Sequence, residues 1–118
     1  MAGVTYYGPI SIVTDDSNGP GTPEIPILTA LIDNVPNPFN PETSIRYSVE
    51  AAAEVELSIY NSRGQFVRSY KASHNRAGYY SWFFDGRDAG GRELSSGVYY
   101  CRMTSSGQSY LRRLLLLK

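Results

Sequence analysis

The stretch TSIRYSVEAAAEVELSIYNSRGQFVRSYK, Thr43–Lys71, decides the fold. In its first third Ile45, Tyr47 and Val49 alternate with Arg46 and Ser48, and in its second Val55, Leu57 and Ile59 alternate with polar residues. A period of two puts each apolar set on one face of an extended chain, as half-buried antiparallel strands require. The turn residues NSRG, Asn61–Gly64, then return the chain into a third strand, Gln65–Lys71.

The same alternation of strand and turn continues downstream. NRAG (Asn75–Gly78), DGRDAGG (Asp85–Gly91) and SSG (Ser105–Gly107) separate the strand-length segments Tyr79–Phe84, Val98–Thr104 and Gln108–Leu117. With the apolar run Ile27–Ile32 upstream, this makes seven short strands and no helical period. The pattern predicts an all-β, immunoglobulin-like antiparallel β-sandwich. Cys101 is the only cysteine, so the Cys…Trp…Cys signature is missing and the inference concerns architecture. Alternating with Tyr99 and Met103, Cys101 reads as a core residue.

Between the apolar run and the first alternating strand lies NVPNPFNPETSI, Asn34–Ile45. Each proline fixes φ and lacks an amide donor, and the preceding residues Val35, Asn37 and Asn40 are pushed away from helix. This predicts a stiff crossing outside any sheet ladder that delivers the chain from one sheet edge to another, with Phe39 as its one large apolar plug. Upstream again, DDSNGPGTPEIP (Asp15–Pro26) has almost nothing to bury and reads as a linker. Fully extended, it spans roughly 40 Å. Residues 1–14, with the β-rich pieces Val4–Tyr7 and Ile10–Thr14, form a β arm or the remnant of a preceding domain, and residues 27–118 the sandwich.

Charge is segregated although the net charge is zero. Residues 1–45 hold Asp15, Asp16, Glu24, Asp33 and Glu42 and no base, while residues 46–118 hold all eleven bases against six acids. The division is either a solvated surface or an acidic arm that docks on a basic body, its own or a neighbour's. No apolar run approaches a membrane span.

Candidate chemistry is sparse. The single histidine, His74, sits in a predicted turn with no nucleophile elbow nearby, which argues against an enzyme. Asp85 and Asp88 lack the spacing and closing glutamate of a calcium loop and read as caps on backbone amides in a tight hairpin turn. No metal or cofactor is expected. Arg112 and Arg113 are adjacent on a strand and point to opposite faces, so they make no nucleic-acid stripe. A carbohydrate platform would need an exposed coplanar row from Tyr79, Tyr80, Trp82 and Tyr100.

Four blocks in order, NVPNPFNPETSIRYSV, IYNSRGQFVRSY, FFDGRDAGGRELSSGVYYCRM and LRRLLLLK, resemble the C-terminal sorting domain of type IX secretion cargo, a family similar to the immunoglobulin-like domain of the flagellar hook-capping protein. The likeness covers about residues 31–118. Its motif positions fall on Pro36, Asn37, Pro38, Phe39, Asn40 and Pro41, on Gly64 and Gln65, on Asp85 and Gly86, on Gly97 and Tyr99, and on Arg112, Arg113 and Lys118. Phe84 stands where the pattern has tryptophan, and Cys101 where it has tyrosine.

The resemblance implies an address with no catalytic role, located at the outer-membrane surface or outside a Gram-negative cell. Its partners would be the outer-membrane secretion machinery and a sortase-like peptidase that cuts within residues 15–26. The last strand would offer an edge for strand addition. An alternative from another class is a fibre subunit whose residues 4–14 complete a neighbour's sheet.

Overall fold

The computed structural model describes residues 26–118, and the arm of residues 1–14 and nearly all of the linker lie outside them. Seven strands form where the period of two runs: β1 (Ala30–Val35), β2 (Thr43–Val49), β3 (Ala53–Asn61), β4 (Phe66–His74), β5 (Gly78–Phe84), β6 (Gly97–Ser105) and β7 (Gln108–Leu116). There is no helix among the described residues, so none is available to cross a membrane. The strands pair antiparallel in two sheets, one in the order β1-β2-β5 and the other β4-β3-β6-β7. This is an immunoglobulin-like sandwich.

Alternation builds the core. Ile45, Tyr47 and Val49 on β2 meet Val55, Leu57 and Ile59 on β3 and Tyr99, Cys101 and Met103 on β6, all nearly inaccessible. The two open seams are closed differently. Between β4 and β5, Tyr70 stacks on Trp82 at 5.3 Å and His74 on Tyr80 at 3.6 Å, while the buried Tyr47 hydroxyl hydrogen-bonds His74 Nε2 at 2.8 Å. Burial pushes that phenol up to about 12. Between β1 and β7, Arg112 Nε donates to the Leu31 carbonyl at 3.0 Å.

Several expectations are corrected here. The first strand is shifted towards the prolines: Asn34 and Val35 pair with Ile45 and Ser44. Asn34 is tolerated inside because its amide donates to Thr43 Oγ1 and the Pro36 carbonyl, both at 3.2 Å. Ser48 points away from the core, yet it is buried, because residues 26–29 cross over it and its hydroxyl donates to the Leu28 carbonyl at 2.6 Å. The fourth strand runs on from Lys71 to His74, whose ring finds its partners in Tyr47 and Tyr80. Finally, the proline crossing joins neighbours in one sheet, not two sheet edges, and Asp85–Gly91 is no hairpin but part of the crossing from β5 to β6 in the other sheet.

Candidate recognition surface

Strand direction explains why distant sequence blocks meet. All four odd-numbered strands end, and all three even-numbered strands begin, at the same end of the sandwich. The loops there are therefore 36–42, 62–65 and 85–96, together with the C-terminal residues after β7. All four sequence blocks that carry the resemblance contain these loops or run up to this end.

The proline loop is the centre of this end. Phe39 is buried between the sheets with its ring 6.1 Å from that of Phe84. Its amide donates to the Leu115 carbonyl at 2.9 Å and its carbonyl accepts from the Leu117 amide at 3.0 Å, a short parallel bridge to the last strand. Asn37 Oδ1 accepts from the Leu115 amide at 3.2 Å. Thr43 Oγ1 donates to the Pro36 carbonyl at 2.8 Å and closes the loop on itself. A segment poor in amide donors is thus satisfied by side chains and by the edge of β7. Pro36, Asn37, Pro38, Asn40 and Pro41 remain exposed.

The third block, around Asp85–Gly91, locks beneath the proline loop. Gly86, with φ +78°, lies so close to Pro41 that a Cβ would stand 2.4 Å from the Pro41 carbonyl oxygen. Asp85 Oδ1 accepts from Arg68 at 2.8 Å and from the Arg87 amide at 3.1 Å, and Arg68 also donates to the Arg87 carbonyl. Asp88 Oδ1 accepts from the amides of Gly90 and Arg92, both at 2.9 Å. The Arg92 amide, with that of Gly90, holds the Asp88 carboxyl below the usual carboxylate range. Both aspartates cap amides as the sequence suggests. Among the described residues no cluster of His, Cys, Asp and Glu has the makings of a metal site.

The remaining blocks fasten the turn and the terminus. Asn61 Oδ1 accepts from the Arg63 and Gln65 amides, and Gly64 takes φ +82° to close the β3–β4 turn. Ser96 Oγ accepts from the Lys118 amide at 2.9 Å, Lys118 Nζ pairs with Glu93 at 3.2 Å, and the Tyr99 hydroxyl donates to the Ser95 carbonyl at 2.7 Å.

Arg112 and Arg113 are not part of this end; they sit midway along β7, opposite Cys101 and Tyr100. They face opposite sides. The aromatic row does not form either, since Trp82 is buried in the core while Tyr79 is exposed. Sequence reasoning missed Arg68 and Thr43, polar residues of strand patterns whose partners are an aspartate more than fifteen residues away and a carbonyl across the loop. A groove of about 550 Å³ at the opposite end is lined by Glu54, Glu56, Lys71, Ser73 and the β6–β7 turn.

Residues 39–109, more than half of the chain, match the family model of the FlgD Ig-like domain. Among solved structures the chain is similar to dimeric latent PorU from Porphyromonas gingivalis, with 18% identity and a TM-score of 0.62 over 80% of this chain and 10% of that one. It is similar also to FlgD from Xanthomonas campestris, with 22% identity and a TM-score of 0.55 over 74% and 64%, and to FlgD from P. aeruginosa, with 20% and 0.54 over 74% and 70%. At these identities the likeness shows a shared fold. The chain spans a small part of PorU and less than two thirds of the Xanthomonas protein. No curated protein sequence matches it.

Proposed function

Because the chain belongs to the FlgD Ig-like domain family, we propose that it is a non-catalytic address that directs a cargo protein through the type IX secretion system to the outer surface of a Gram-negative cell. The observation that carries this reading is the convergence of the motif blocks on one end, with the C-terminal residues built into it. Phe39, Gly86 and Tyr99 are the buried frame, and Pro36, Asn37, Pro38, Asn40, Pro41 and Lys118 are the exposed face that the frame holds in place. Gly64, Gln65, Asp85 and Gly97 shape the loops beside it. A rigid polar face of this kind offers shape and hydrogen bonds to a partner without ordering cost on binding. The partners proposed are the secretion machinery and a sortase-like peptidase that cuts between the cargo and the sandwich.

The test is export of a reporter fused ahead of residues 26–118 in a type IX secretor. Export of the fusion is expected, with loss on deleting Leu114–Lys118. That deletion removes the buried Leu114 and Leu116, so a second pair, Asn40→Ala with Lys118→Ala, tests the face in a sandwich shown by urea unfolding to be intact. A reporter retained inside with the whole sandwich, or exported equally well by both altered forms, overturns the address. The charge division favours a second reading, a fibre subunit whose residues 4–14 add to a neighbouring copy.

A further inference from the structure

The last strand has an open edge with a definite length. Leu115 uses its amide on Asn37 and its carbonyl on Phe39, and Leu117 gives its amide to Phe39, so the main-chain groups of these odd-numbered residues point away from β6. In an antiparallel ladder the direction alternates by residue. In the unbroken register of β7 with β6, Ser109, Leu111 and Arg113 therefore also aim their N–H and C=O groups outwards. Among the described residues no backbone group meets them. The proline loop closes the edge beyond Leu114, which leaves Gln108–Arg113, six residues or roughly 20 Å of strand.

The charge along this edge is of one sign. Arg113 lies exposed on the outer face beside Leu111, which is 62% exposed. Arg112 lies on the seam side, and Arg102 on the neighbouring β6. Among the described residues none of the three forms an ion pair. The free edge of β5 differs, since it carries Tyr79, Ser81 and Phe83 and no charge. Arginines on an edge also guard against aggregation, a role that predicts no strand addition by a peptide of either charge.

Resting on the address reading above, we propose that the partner of this domain is an extended acidic peptide segment that adds to β7 as a fifth strand of its sheet. Three outward-facing residues fix its register. A carboxylate beside Arg113 and an apolar side chain over Leu111 on one face, with a second carboxylate towards Arg112 on the other, match the alternation of an added strand.

The test uses the full 118-residue chain, labelled for amide NMR, and two capped hexapeptides, DEVTVT and KKVTVT, whose first three residues face Arg113, Arg112 and Leu111 in an antiparallel register. The acidic peptide is expected to shift the amides of Ser109, Leu111 and Arg113 and to slow their exchange. Arg113→Glu should weaken it by about tenfold or more and admit the basic peptide instead. Leu111→Pro, which removes an edge amide outside the ladder and is compatible with folding there, should abolish binding by both. Equal binding of both peptides, shifts on β4 or β5, no binding by either, or amides already protected in the free chain would each overturn the proposal. Export of the fused reporter separates the two readings. Normal export with Arg113→Glu and Leu111→Pro overturns the docking strand and leaves the address standing, whereas peptide binding at β7 with no export by the native sandwich does the reverse.

Discussion

Gly86 and Gly64 hold similar backbone angles, φ +78° and +82°, in very different surroundings. A Cβ on Gly64 meets nothing within 4 Å, while one on Gly86 runs into the Pro41 carbonyl. Gly64→Ala should therefore cost only the left-handed backbone, about 1 kcal/mol, and Gly86→Ala that plus displacement of the proline loop, roughly 3 kcal/mol in urea unfolding. Equal losses would mean that the loop gives way freely. Cys101 lies on the inner face of β6, and burial pushes its thiol up to about 12 from an ordinary 9.0. Native protein at pH 8 should leave a chromogenic disulfide reagent unreacted until urea is added. Since the native pKa is the higher, the unfolded thiol ionises first, so stability falls as pH rises from about 9 towards 12. Cys101→Ala should flatten that limb, and an unchanged slope would assign it to buried Tyr47 instead.

At the scale of the element, the proline loop is a clip between two sheets. Phe39 bridges to Leu116 while the strands on either side of it belong to the opposite sheet. Phe39→Ala should cost about 3–5 kcal/mol, with a specific trace: faster exchange at the Leu115 and Leu117 amides and little change in the β3–β4 ladder. Uniform acceleration across both sheets would show that the loop is merely part of a single cooperative core. How far such elements were legible beforehand follows from their physics. Thr43–Val49 is exact because a buried face imposes alternation on every residue, and Phe39 is recognisable as the lone apolar side chain in a polar loop. Ser48 and Asn34 misled because their burial depends on a covering segment and on hydrogen-bond partners that no period encodes. Asp85–Gly91 has the composition of a hairpin, and only the pairing of β5 with β2 and of β6 with β3 reveals a crossing. The convergence at one end was invisible for the same reason: block order is in the sequence, but strand parity between two sheets is not.

At the scale of the whole molecule, the buried hydrophobic cluster described here runs from Leu31 to Leu116. On the proposed division into arm, linker and sandwich this cluster needs nothing from residues 1–25, so a fragment of residues 26–118 should unfold in urea with the same midpoint and slope as the full chain, and a lower midpoint would overturn that division. The two functional readings diverge in what those first residues do to mass. An address needs nothing from them but reach, and the full chain should sediment as a monomer at all concentrations and at low as well as physiological salt. A fibre subunit would donate residues 4–14 to the next copy, so its mass would climb with concentration, fall with added salt because acidic and basic halves attract, and collapse to a monomer in the fragment. Constant monomer mass for both chains is the expected outcome. Salt-sensitive growth confined to the full chain would transfer the open β7 edge from a partner's peptide to the chain's own arm, making the same six residues the acceptor of a polymer.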